Sequence, residues 1–304
     1  MNPGHTVGKS AQVAFLVGAG RSGTTLLYKL LCLHPQIAYI SNFESKWPWF
    51  PAGMACRAVA AHPQAKRAAW FRHGGNAYFV NRPWLKKAFP TPHEGEAVYR
   101  RCGLPLTPPP DYSPDAPTLH ALRRTFESIR QRANASIFLS KRTANNRRIR
   151  QLEQVFPAAR YIHLVRDGRE VAQSLATVDW WDEHTVWWDG RTAGEIERAG
   201  ADRLALCARN WVYEMRELER QLEAIEPERQ CTLRFESLLQ DPLEQLERVT
   251  RFLGLPYSTG YRATIESLGL RPVQPQWRQA WTSDQLDTVL REARPTLRLH
   301  GYAA

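Results

Sequence analysis

The alternation of apolar and polar stretches along the chain predicts strands that alternate with helices. Val13–Val17 is a continuous apolar run, which is typical of a strand buried on both faces. A glycine-rich turn follows, and the leucines of residues 24–33 then lie on one side of a helix that ends before a proline. Further strands are predicted at residues 37–40, 136–140, 161–165 and 230–235. Strands that alternate with helices indicate a parallel sheet.

Apolar positions at helical spacing predict the segments that pack on this sheet. In residues 204–225 they recur at spacings of four and three, which gives one apolar face; we expect it to pack on the sheet, with a coiled-coil partner as the alternative. Asn145 is expected to cap a helix that stops before Pro157. A capping box at Thr282 opens the last helix. The other predicted helices are residues 56–71, 119–133, 168–176 and 243–253.

The domain organisation follows from where these patterns weaken. Residues 46–135 are rich in proline and tryptophan and show no strong period, so we expect an insertion or lid of helices and loops. Residues 11–45 hold the glycine-rich turn, and residues 136–304 hold the remaining sheet. No internal repeat or long linker is found. The expected fold is therefore α/β, with a P-loop-type parallel β-sheet flanked by helices, in a single domain over residues 1–304 with an inserted lid.

Composition adds a charge and a location to this picture. The 304 residues carry a net charge of +11, from 34 arginines and only 7 lysines. Guanidinium groups match phosphate and sulfate oxygens, so an acidic ligand is one explanation, and a compositional bias toward arginine is the other. The five cysteines form no C-x-x-C pair, and the polar N-terminus resembles no secretory signal. We expect a cytoplasmic protein without a transmembrane segment.

Residues 18–25, GAGRSGTT, lie between the first strand and its helix, which is the context of a phosphate-binding loop. The spacing of Gly18 and Gly23 fits the pattern of nucleoside triphosphatases, but Thr24 occupies the position where those enzymes need a lysine. Such a loop binds one tetrahedral oxyanion and is poorly equipped to transfer a γ-phosphoryl group. A strand–helix turn without a ligand is the alternative.

A second anion site is predicted at the end of the strand at 161–165. Arg166 follows this strand at its carboxyl end, where open α/β sheets bind ligands. Ser174 lies two turns into the next helix and can face the same crevice. A salt bridge from Arg166 to Asp167 or Glu170 is the alternative use of this arginine. Two anion sites at one sheet edge favour a ligand with two separate phosphates.

The two motifs together resemble those of sulfotransferases that use 3′-phosphoadenosine-5′-phosphosulfate (PAPS). Residues 20–26, GRSGTTL, resemble the loop that holds the 5′-phosphosulfate, and residues 164–174, LVRDGREVAQS, resemble the 3′-phosphate motif. The His-Pro pair at 34–35, SKRT at 140–143, RFESL at 234–238, Asp-Pro at 241–242 and the run from Trp-Arg at 277–278 to Gly-Tyr at 301–302 fit the bacterial and tyrosylprotein-type branch. The resemblance leaves out residues 46–135.

This resemblance implies roles for particular residues. Lys141 would contact the bridge to the leaving group, and Arg21 would help to stabilise charge there. Arg166 and Ser174 would hold the 3′-phosphate, and Arg278 would add to that site. The 5′-phosphosulfate would lie in the loop formed by Gly20, Arg21, Ser22, Gly23, Thr24 and Thr25.

The resemblance further implies metal-independent in-line displacement and a general base for the acceptor. In the resembled branch this base is a glutamate soon after His-Pro, which here is Glu44; His184 is the substitute. His184 lies in the tryptophan-rich stretch 179–189, which either lines the acceptor pocket or belongs to the core. The acceptor itself stays open between a carbohydrate, a lipid, a small molecule such as a phenolic metabolite, and a peptide tyrosine, and the oligomeric state is not encoded in any pattern we find.

Three other functions remain as alternatives. A P-loop kinase would need a lysine at Thr24 and a magnesium-binding aspartate at the position of Arg166. A nucleic-acid-binding protein would explain the net charge, but the arginines are spread along the chain and form no known binding motif, so no nucleic acid is expected as a partner. A non-catalytic PAPS-binding protein would not need Lys141 or Glu44.

Overall fold

A five-stranded parallel sheet forms the centre of the protein. The computed structural model describes residues 12–47, 53–71, 88–109 and 111–303. The strand order is β2-β3-β1-β4-β5 and every pairing is parallel. The predicted α/β class is confirmed. The strands are β1 (Val13–Val17), β2 (Ile37–Ala38), β3 (Ile137–Lys141), β4 (Arg160–Val165) and β5 (Gln230–Arg234).

The chain leaves β1 toward one side of the sheet and leaves β4 toward the other. In the order of the strands, β1 leads to β2 on one side, whereas β4 leads to β5 on the other. The carboxyl ends of β1 and β4 therefore bound a crevice at a topological switch point, where open α/β sheets bind their ligands. Both predicted anion-binding motifs begin at these two strand ends.

Helices cover both faces of the sheet, and most of the predicted helices begin and end close to the predicted positions. The predicted helix at residues 168–176 is found with the same bounds. The described α-helices are α1 (Thr24–Cys32), α2 (Asn42–Lys46), α3 (Met54–Ala60), α4 (Pro63–Trp70), α5 (Glu96–Arg101), α6 (Ala116–Arg132), α7 (Ile149–Val155), α8 (Gly168–Ala176), α9 (Ala193–Arg198), α10 (Arg203–Leu222), α11 (Phe235–Gln240), α12 (Pro242–Leu253), α13 (Thr259–Glu266), α14 (Trp277–Ala280) and α15 (Ser283–Leu299).

Two local predictions were wrong for identifiable reasons. The single helix expected over residues 56–71 is two helices, because Pro63 occupies the first turn of α4 and its ring cannot continue a helix from before it. Asn145 does not cap α7, because it lies inside a 3₁₀ turn over Thr143–Arg147 and its amide donates to the Tyr99 hydroxyl at 3.0 Å. Arg148 is the N-terminal flanking residue of α7 instead.

Among the described residues, the buried side chains form two core clusters. The larger one surrounds the sheet and includes Phe15 of β1 and Phe126 of α6, which are both fully buried. The smaller one lies among α8, α10 and α15 and includes the fully buried Trp211. The apolar face of α10 thus packs within the chain, but mainly against α8 and α15, where we expected the sheet. A Cβ on Gly168 would lie 2.4 Å from the Trp211 ring, so the glycine allows α8 and α10 to approach.

The segment between β2 and β3 contributes to both the core and the crevice. The helix α6 packs on the sheet through Leu122, Phe126 and Ile129, which are all fully buried. The stretch before it, residues 94–107, reaches the crevice at the ends of β1 and β4. Within the described ranges, no helix combines the length and apolarity that crossing a membrane requires.

Candidate active site

The loop between β1 and α1 has a backbone suited to an oxyanion. Gly23 stands at the N-terminus of α1 with φ 85°, and a Cβ there would lie 2.2 Å from the Phe235 ring, so only glycine fits. Arg21 also adopts a left-handed conformation, with φ 68°, which is unfavourable for a residue with a side chain and is typical of functional sites. The Ser22 hydroxyl is fully buried and has no partner among the described residues. This loop fits an anionic ligand that supplies the missing contacts.

Asn146 fixes the start of this loop. Its amide oxygen accepts from the Gly18 N–H at 3.1 Å, and its amide nitrogen donates to the Gly18 carbonyl at 3.0 Å. The same nitrogen donates to Glu214 on α10 at 2.9 Å, and Arg147 pairs with the other Glu214 oxygen at 2.6 Å. A fully buried asparagine thus satisfies the two backbone groups of Gly18 at the point where the strand ends.

The two predicted anion-binding motifs meet at one place. Arg21 Nε donates to the Ser174 hydroxyl at 2.9 Å, although the two residues are 153 positions apart. Arg166 Nη1 donates to the Arg21 carbonyl at 2.9 Å. Two guanidinium groups and a hydroxyl therefore converge at the carboxyl ends of β1 and β4. Burial lowers the pKa of Arg21, and the neighbouring Arg166 lowers it further.

Arg166 also forms the salt bridge that was considered as its alternative use. Its Nη2 lies 3.0 Å from a Glu170 oxygen, while Asp167 pairs with Arg169 instead. The Arg166 guanidinium lies 4.7 Å from the centre of the Phe235 ring. The carboxylate and the ring together hold the guanidinium in place beside Arg21.

Lys141 lies at the end of β3, opposite Leu16 in the register of β1. Its ammonium group donates to the Thr25 hydroxyl at 3.3 Å, so the lysine reaches the loop that precedes α1. It also forms an ion pair with Glu94. Thr24 is buried, whereas Thr25 is exposed and available to a ligand. The structure thus brings Lys141 to the loop from a neighbouring strand, which is a position different from the P-loop lysine that Thr24 replaces.

Glu94 is an acidic residue of this site that the sequence did not indicate. It lies between Lys141 and Arg142 and forms ion pairs with both. Burial raises the pKa of Glu94, but the two cations outweigh burial and hold the pKa below its ordinary value. Arg142 also pairs with Glu96 at 3.1 Å, which anchors this turn to β3.

Glu44, the predicted base, lies elsewhere. Its carboxylate caps its own helix α2, where one oxygen accepts from the Ser41 N–H at 2.8 Å and from the Ser41 hydroxyl. The other oxygen accepts from the Gly53 N–H at 2.9 Å. Glu44 is buried and is not among the residues that line the crevice. These contacts of the carboxylate stabilise the fold.

His184 does line the crevice, and its ring stacks on that of Trp181 with 5.5 Å between the ring centres. Burial lowers the pKa of His184; Glu214 opposes this effect and Arg147 adds to it. The tryptophans of this stretch divide between two roles. Trp180 and Trp187 line the crevice, whereas Trp181 is fully buried in the smaller core cluster and Trp188 packs against it.

Arg278 does not line the crevice. It is exposed, and its guanidinium lies 5.3 Å from the centre of the Trp277 ring. The neighbouring Gln276 and Val273 reach the crevice in its place. Of the aromatic residues near Glu44, Trp47 is exposed and stacks on Phe43. Trp49 and Phe50 lie outside the described residues.

The crevice has a volume of about 1170 Å³ and is lined by residues of both motifs. The cations outnumber the carboxylates along it, which suits an anionic ligand. Apolar and aromatic side chains complete the lining. The residues that line it include Gly20, Arg21, Gly23, Thr24, Thr25, Glu94, Leu106, Lys141, Arg142, Arg147, Arg166, Ser174, Leu175, Trp180, His184, Trp187, Glu214, Phe235 and Val273.

A profile of the sulfotransferase family matches residues 14–259, which include both motifs and most of the crevice. The chain belongs to the sulfotransferase family. Curated relatives are the omega-hydroxy-beta-dihydromenaquinone-9 sulfotransferases Stf3 of Mycobacterium bovis (strain ATCC BAA-935 / AF2122/97) and Mycobacterium tuberculosis (strain CDC 1551 / Oshkosh). Each is 28% identical over 258 residues, which is 79% of this chain and 62% of the relative. The chain thus spans about three fifths of the length of these relatives.

Solved structures of the same family share the fold. Sulfotransferase STF9 from Mycobacterium avium superimposes with a TM-score of 0.61 at 17% identity, over 97% of this chain and 78% of its own. Sulfotransferase STF1 from Mycobacterium tuberculosis H37Rv gives a TM-score of 0.54 at 15% identity, over 93% and 76%. These similarities confirm the predicted parallel sheet flanked by helices.

Sequence reasoning missed three residues of this site. Glu94 lies in the segment that matched no motif, and nothing local distinguishes it from a surface acid. Phe235 belongs to the stretch RFESL at 234–238, which only the family resemblance indicated. Its position directly after a predicted strand, at the ligand-binding edge of the sheet, was a signal that could have predicted a role in the site. Asn146 stands beside Asn145 in the sequence, and only the tertiary structure shows which of the two asparagines contacts Gly18.

Proposed function

We propose that this protein transfers a sulfuryl group from PAPS to the hydroxyl or amine of an acceptor, giving 3′-phosphoadenosine-5′-phosphate. The observation that carries this proposal is the 2.9 Å contact between Arg21 and Ser174, which joins the two anion-binding motifs across one crevice. A ligand with one anionic group at its 5′ end and another at its 3′ position would find hydrogen-bond donors for both groups in this crevice. Membership of the sulfotransferase family supports the same chemistry.

In this proposal the loop between β1 and α1 binds the 5′ end of PAPS, and the residues after β4 bind its 3′-phosphate. The buried Ser22 hydroxyl, the N-terminus of α1 and the exposed Thr25 suit the 5′-phosphosulfate. Arg166 and Ser174 suit the 3′-phosphate, because a guanidinium and a hydroxyl offer directed hydrogen bonds to one oxyanion. Arg278 remains a weaker candidate for that group, since it is exposed and lies outside the crevice lining.

Lys141 is our candidate for stabilising the leaving group. Its ammonium group is within 3.3 Å of Thr25, next to the loop that would hold the 5′ end of the donor. Sulfuryl transfer, like phosphoryl transfer, depends on positioning the reactants and on cations that neutralise charge as it develops. We expect no metal to be required. Among the described residues, no group of three or more His, Cys, Asp or Glu side chains could hold one.

For the acceptor proton we propose Glu94, with His184 as the second candidate. Both line the crevice, whereas the Glu44 carboxylate is engaged in the cap of α2. Glu94 is ionised at neutral pH because Lys141 and Arg142 hold its pKa low; it can therefore accept a proton, although the same two cations make it a weaker base than an unpaired glutamate.

The acceptor is proposed to be a small molecule with an apolar part. Leu106 and Trp180 both line the crevice and are nearly half exposed, at 47% and 46%. Such side chains suit a lipid tail, an aromatic ring or the face of a sugar. The curated relatives are named for a menaquinone derivative, which favours a lipid-like acceptor among these classes. We keep the cytoplasm as the expected location.

Ligand-induced thermal stabilisation tests the proposal. We expect 3′-phosphoadenosine-5′-phosphate to raise the unfolding midpoint by several degrees, since a ligand at 100 times its dissociation constant adds about 2.7 kcal/mol. AMP, which lacks the 3′-phosphate, should give a much smaller shift. Arg166→Ala should abolish the difference between the two nucleotides, and Arg262→Ala, on the exposed face of α13, should preserve it.

Other outcomes would favour the alternatives. A midpoint that rises only with Mg-ATP would favour a kinase, and binding of DNA with a steep salt dependence would favour a nucleic-acid-binding protein. Binding of the bisphosphate without turnover of PAPS against any acceptor would favour a non-catalytic protein. Full activity in the presence of EDTA is expected, and its loss would show that a metal takes part.

A further inference from the structure

The end of the last helix reaches back to the turn that carries Arg166. The helix α15 ends at Leu299, and the next residues form a C-terminal capping motif. In this motif the Gly301 N–H donates to the Arg298 carbonyl and the Tyr302 N–H donates to the Leu297 carbonyl, both at 2.9 Å. This pattern requires a left-handed residue after the helix, and Gly301 supplies it with φ 71°. The stop leaves the Tyr302 side chain directed at the end of β5.

Arg234 and Glu236, at the end of β5, contact residues 300–302. Arg234 donates to the His300 carbonyl, and its guanidinium lies 4.6 Å from the centre of the Tyr302 ring. The Tyr302 hydroxyl donates to a Glu236 oxygen at 2.9 Å. A Cβ on Gly301 would lie 2.4 Å from the Arg234 guanidinium, so the glycine also makes room for this contact.

Glu236 connects the segment to the 3′-phosphate motif. Its second carboxylate oxygen accepts from the Asp167 N–H at 3.1 Å. Asp167 directly follows Arg166, and its side chain caps α8 by accepting from the Arg169 N–H at 2.9 Å. Arg234 is opposite Val165 in the sheet register, so the two strand ends lie side by side. One carboxylate therefore ties the turn after β4 to the end of α15.

We infer that residues 300–302 together with Arg234 and Glu236 form a brace that positions Arg166 for the 3′-phosphate of the donor. Glu236 and Tyr302 are positioning residues, because they act on Arg166 through the backbone of Asp167 and do not line the crevice. This inference rests on the proposed function. The brace therefore favours nucleotides that carry a 3′-phosphate over nucleotides that lack it.

The test compares two dissociation constants in the full chain. Calorimetric titration gives the affinities for 3′-phosphoadenosine-5′-phosphate and for AMP, and their ratio isolates the contribution of the 3′-phosphate. We expect Tyr302→Phe to lower this ratio by about two- to tenfold, which corresponds to one hydrogen bond. Glu236→Gln retains one carbonyl oxygen for two donors and should lower the ratio as well.

A matched control separates this effect from a general loss of structure. Tyr257→Phe removes a hydroxyl that is buried and has no partner among the described residues, so the ratio should stay the same. Tyr302→Phe keeps the ring on Arg234, and equal thermal unfolding midpoints without ligand would show that the fold is retained.

The outcomes distinguish the brace from the proposed function. If the unchanged protein binds the bisphosphate more tightly than AMP and both brace variants keep the ratio, the brace inference is wrong. It is also wrong if the variants weaken both nucleotides equally, because that result indicates a structural role only. If the unchanged protein does not prefer the bisphosphate, the proposed function fails, and the brace has no 3′-phosphate to position.

Discussion

Two glutamates fifty residues apart show how the surroundings of a carboxylate decide its role. Glu44 follows the first helix closely, and the family resemblance predicts it as the general base. In the structure its carboxylate oxygens accept three hydrogen bonds, which cap α2 and fix the position of Gly53. Glu94 comes from a segment without a recognisable motif and lies in the crevice between two cations. At the residue scale, the chemistry is determined by which donors surround each acid.

Substitution of these glutamates should separate turnover from stability. We expect Glu94→Gln to lower kcat by about 100- to 10,000-fold, the range for loss of a general base, and also to lower the unfolding midpoint, because the buried Lys141 loses its carboxylate partner. Glu44→Gln keeps one acceptor oxygen and should lower the free energy of unfolding by about 1 kcal/mol while leaving kcat near its original value. PAPS turnover and urea unfolding measure the two effects.

The opposite result for the two glutamate variants would identify Glu44, the residue predicted from the sequence, as the general base. If Glu44→Gln abolishes turnover in a folded protein and Glu94→Gln does not, then Glu44 moves into the crevice when substrates bind. A loss of kcat in His184→Asn alone, with both glutamate variants active, would identify the histidine as the base.

At the scale of elements, the phosphate loop depends on a strand that is remote in sequence. The ring of Phe235 lies at the carboxyl end of β5 and fills the space beside Gly23. The same ring stacks on Arg166. One aromatic side chain therefore packs against both anion-binding motifs, so the geometry of the loop depends on the junction between β5 and α11 as well as on its own glycines.

A methyl group at position 23 should break this arrangement. Gly23→Ala places a Cβ in a left-handed conformation, which costs roughly 1–2 kcal/mol, and pushes it into the Phe235 ring. We expect a lower unfolding midpoint and loss of the stabilisation by 3′-phosphoadenosine-5′-phosphate. The matched control is Gly260→Ala, where no atom lies within 4 Å of the added Cβ. Retained nucleotide binding in Gly23→Ala would contradict the packing argument.

At the scale of the whole molecule, the larger core contains a buried charge that makes the free energy of unfolding depend on pH in the alkaline range. Lys66 is 1% exposed, and its ammonium group donates to the Cys32 carbonyl at 2.6 Å. The centres of the Tyr39 and Trp70 rings lie 5.8 and 5.7 Å from this ammonium group. No carboxylate pairs with it in the described ranges. Burial lowers the pKa of Lys66 from its ordinary value of 10.5 to about 8.

The sign of the pH dependence follows from this pKa. Below pH 8 the lysine is charged in both the folded and the unfolded protein. Between about pH 8 and 10.5 the folded protein has released this proton and the unfolded protein still binds it, so the contribution of Lys66 to the free energy of unfolding rises with pH. The full change is roughly 3 kcal/mol.

Comparison with Lys66→Met isolates this contribution, because other groups that titrate in the same range are common to both proteins. We expect the stability of the variant relative to the unchanged protein to decline as pH rises from 7 to 10, measured by urea unfolding. Lys29→Met, on the neighbouring helix α1, provides a second buried-lysine comparison. A constant difference across this range would mean that Lys66 titrates at its ordinary pKa.

The sequence by itself determined the elements and the class of chemistry. Hydrophobic periodicity is a local property, so β1, α8 and α10 could be predicted close to their observed bounds. The anion-binding residues stand in two contiguous stretches whose spacing is likewise local, which is why Arg21, Arg166 and Ser174 could be named before the fold was known.

Only the tertiary structure decided which of these residues meet and which groups surround them. The strand order brings Arg21 to Ser174 over 153 positions, and the register of β1 and β3 brings Lys141 to Thr25. The same packing assigns Glu94 to the crevice, Glu44 to a helix cap and Asn146 to Gly18. Such contacts depend on the relative placement of distant elements, and the local pattern of residues carries no information about that placement.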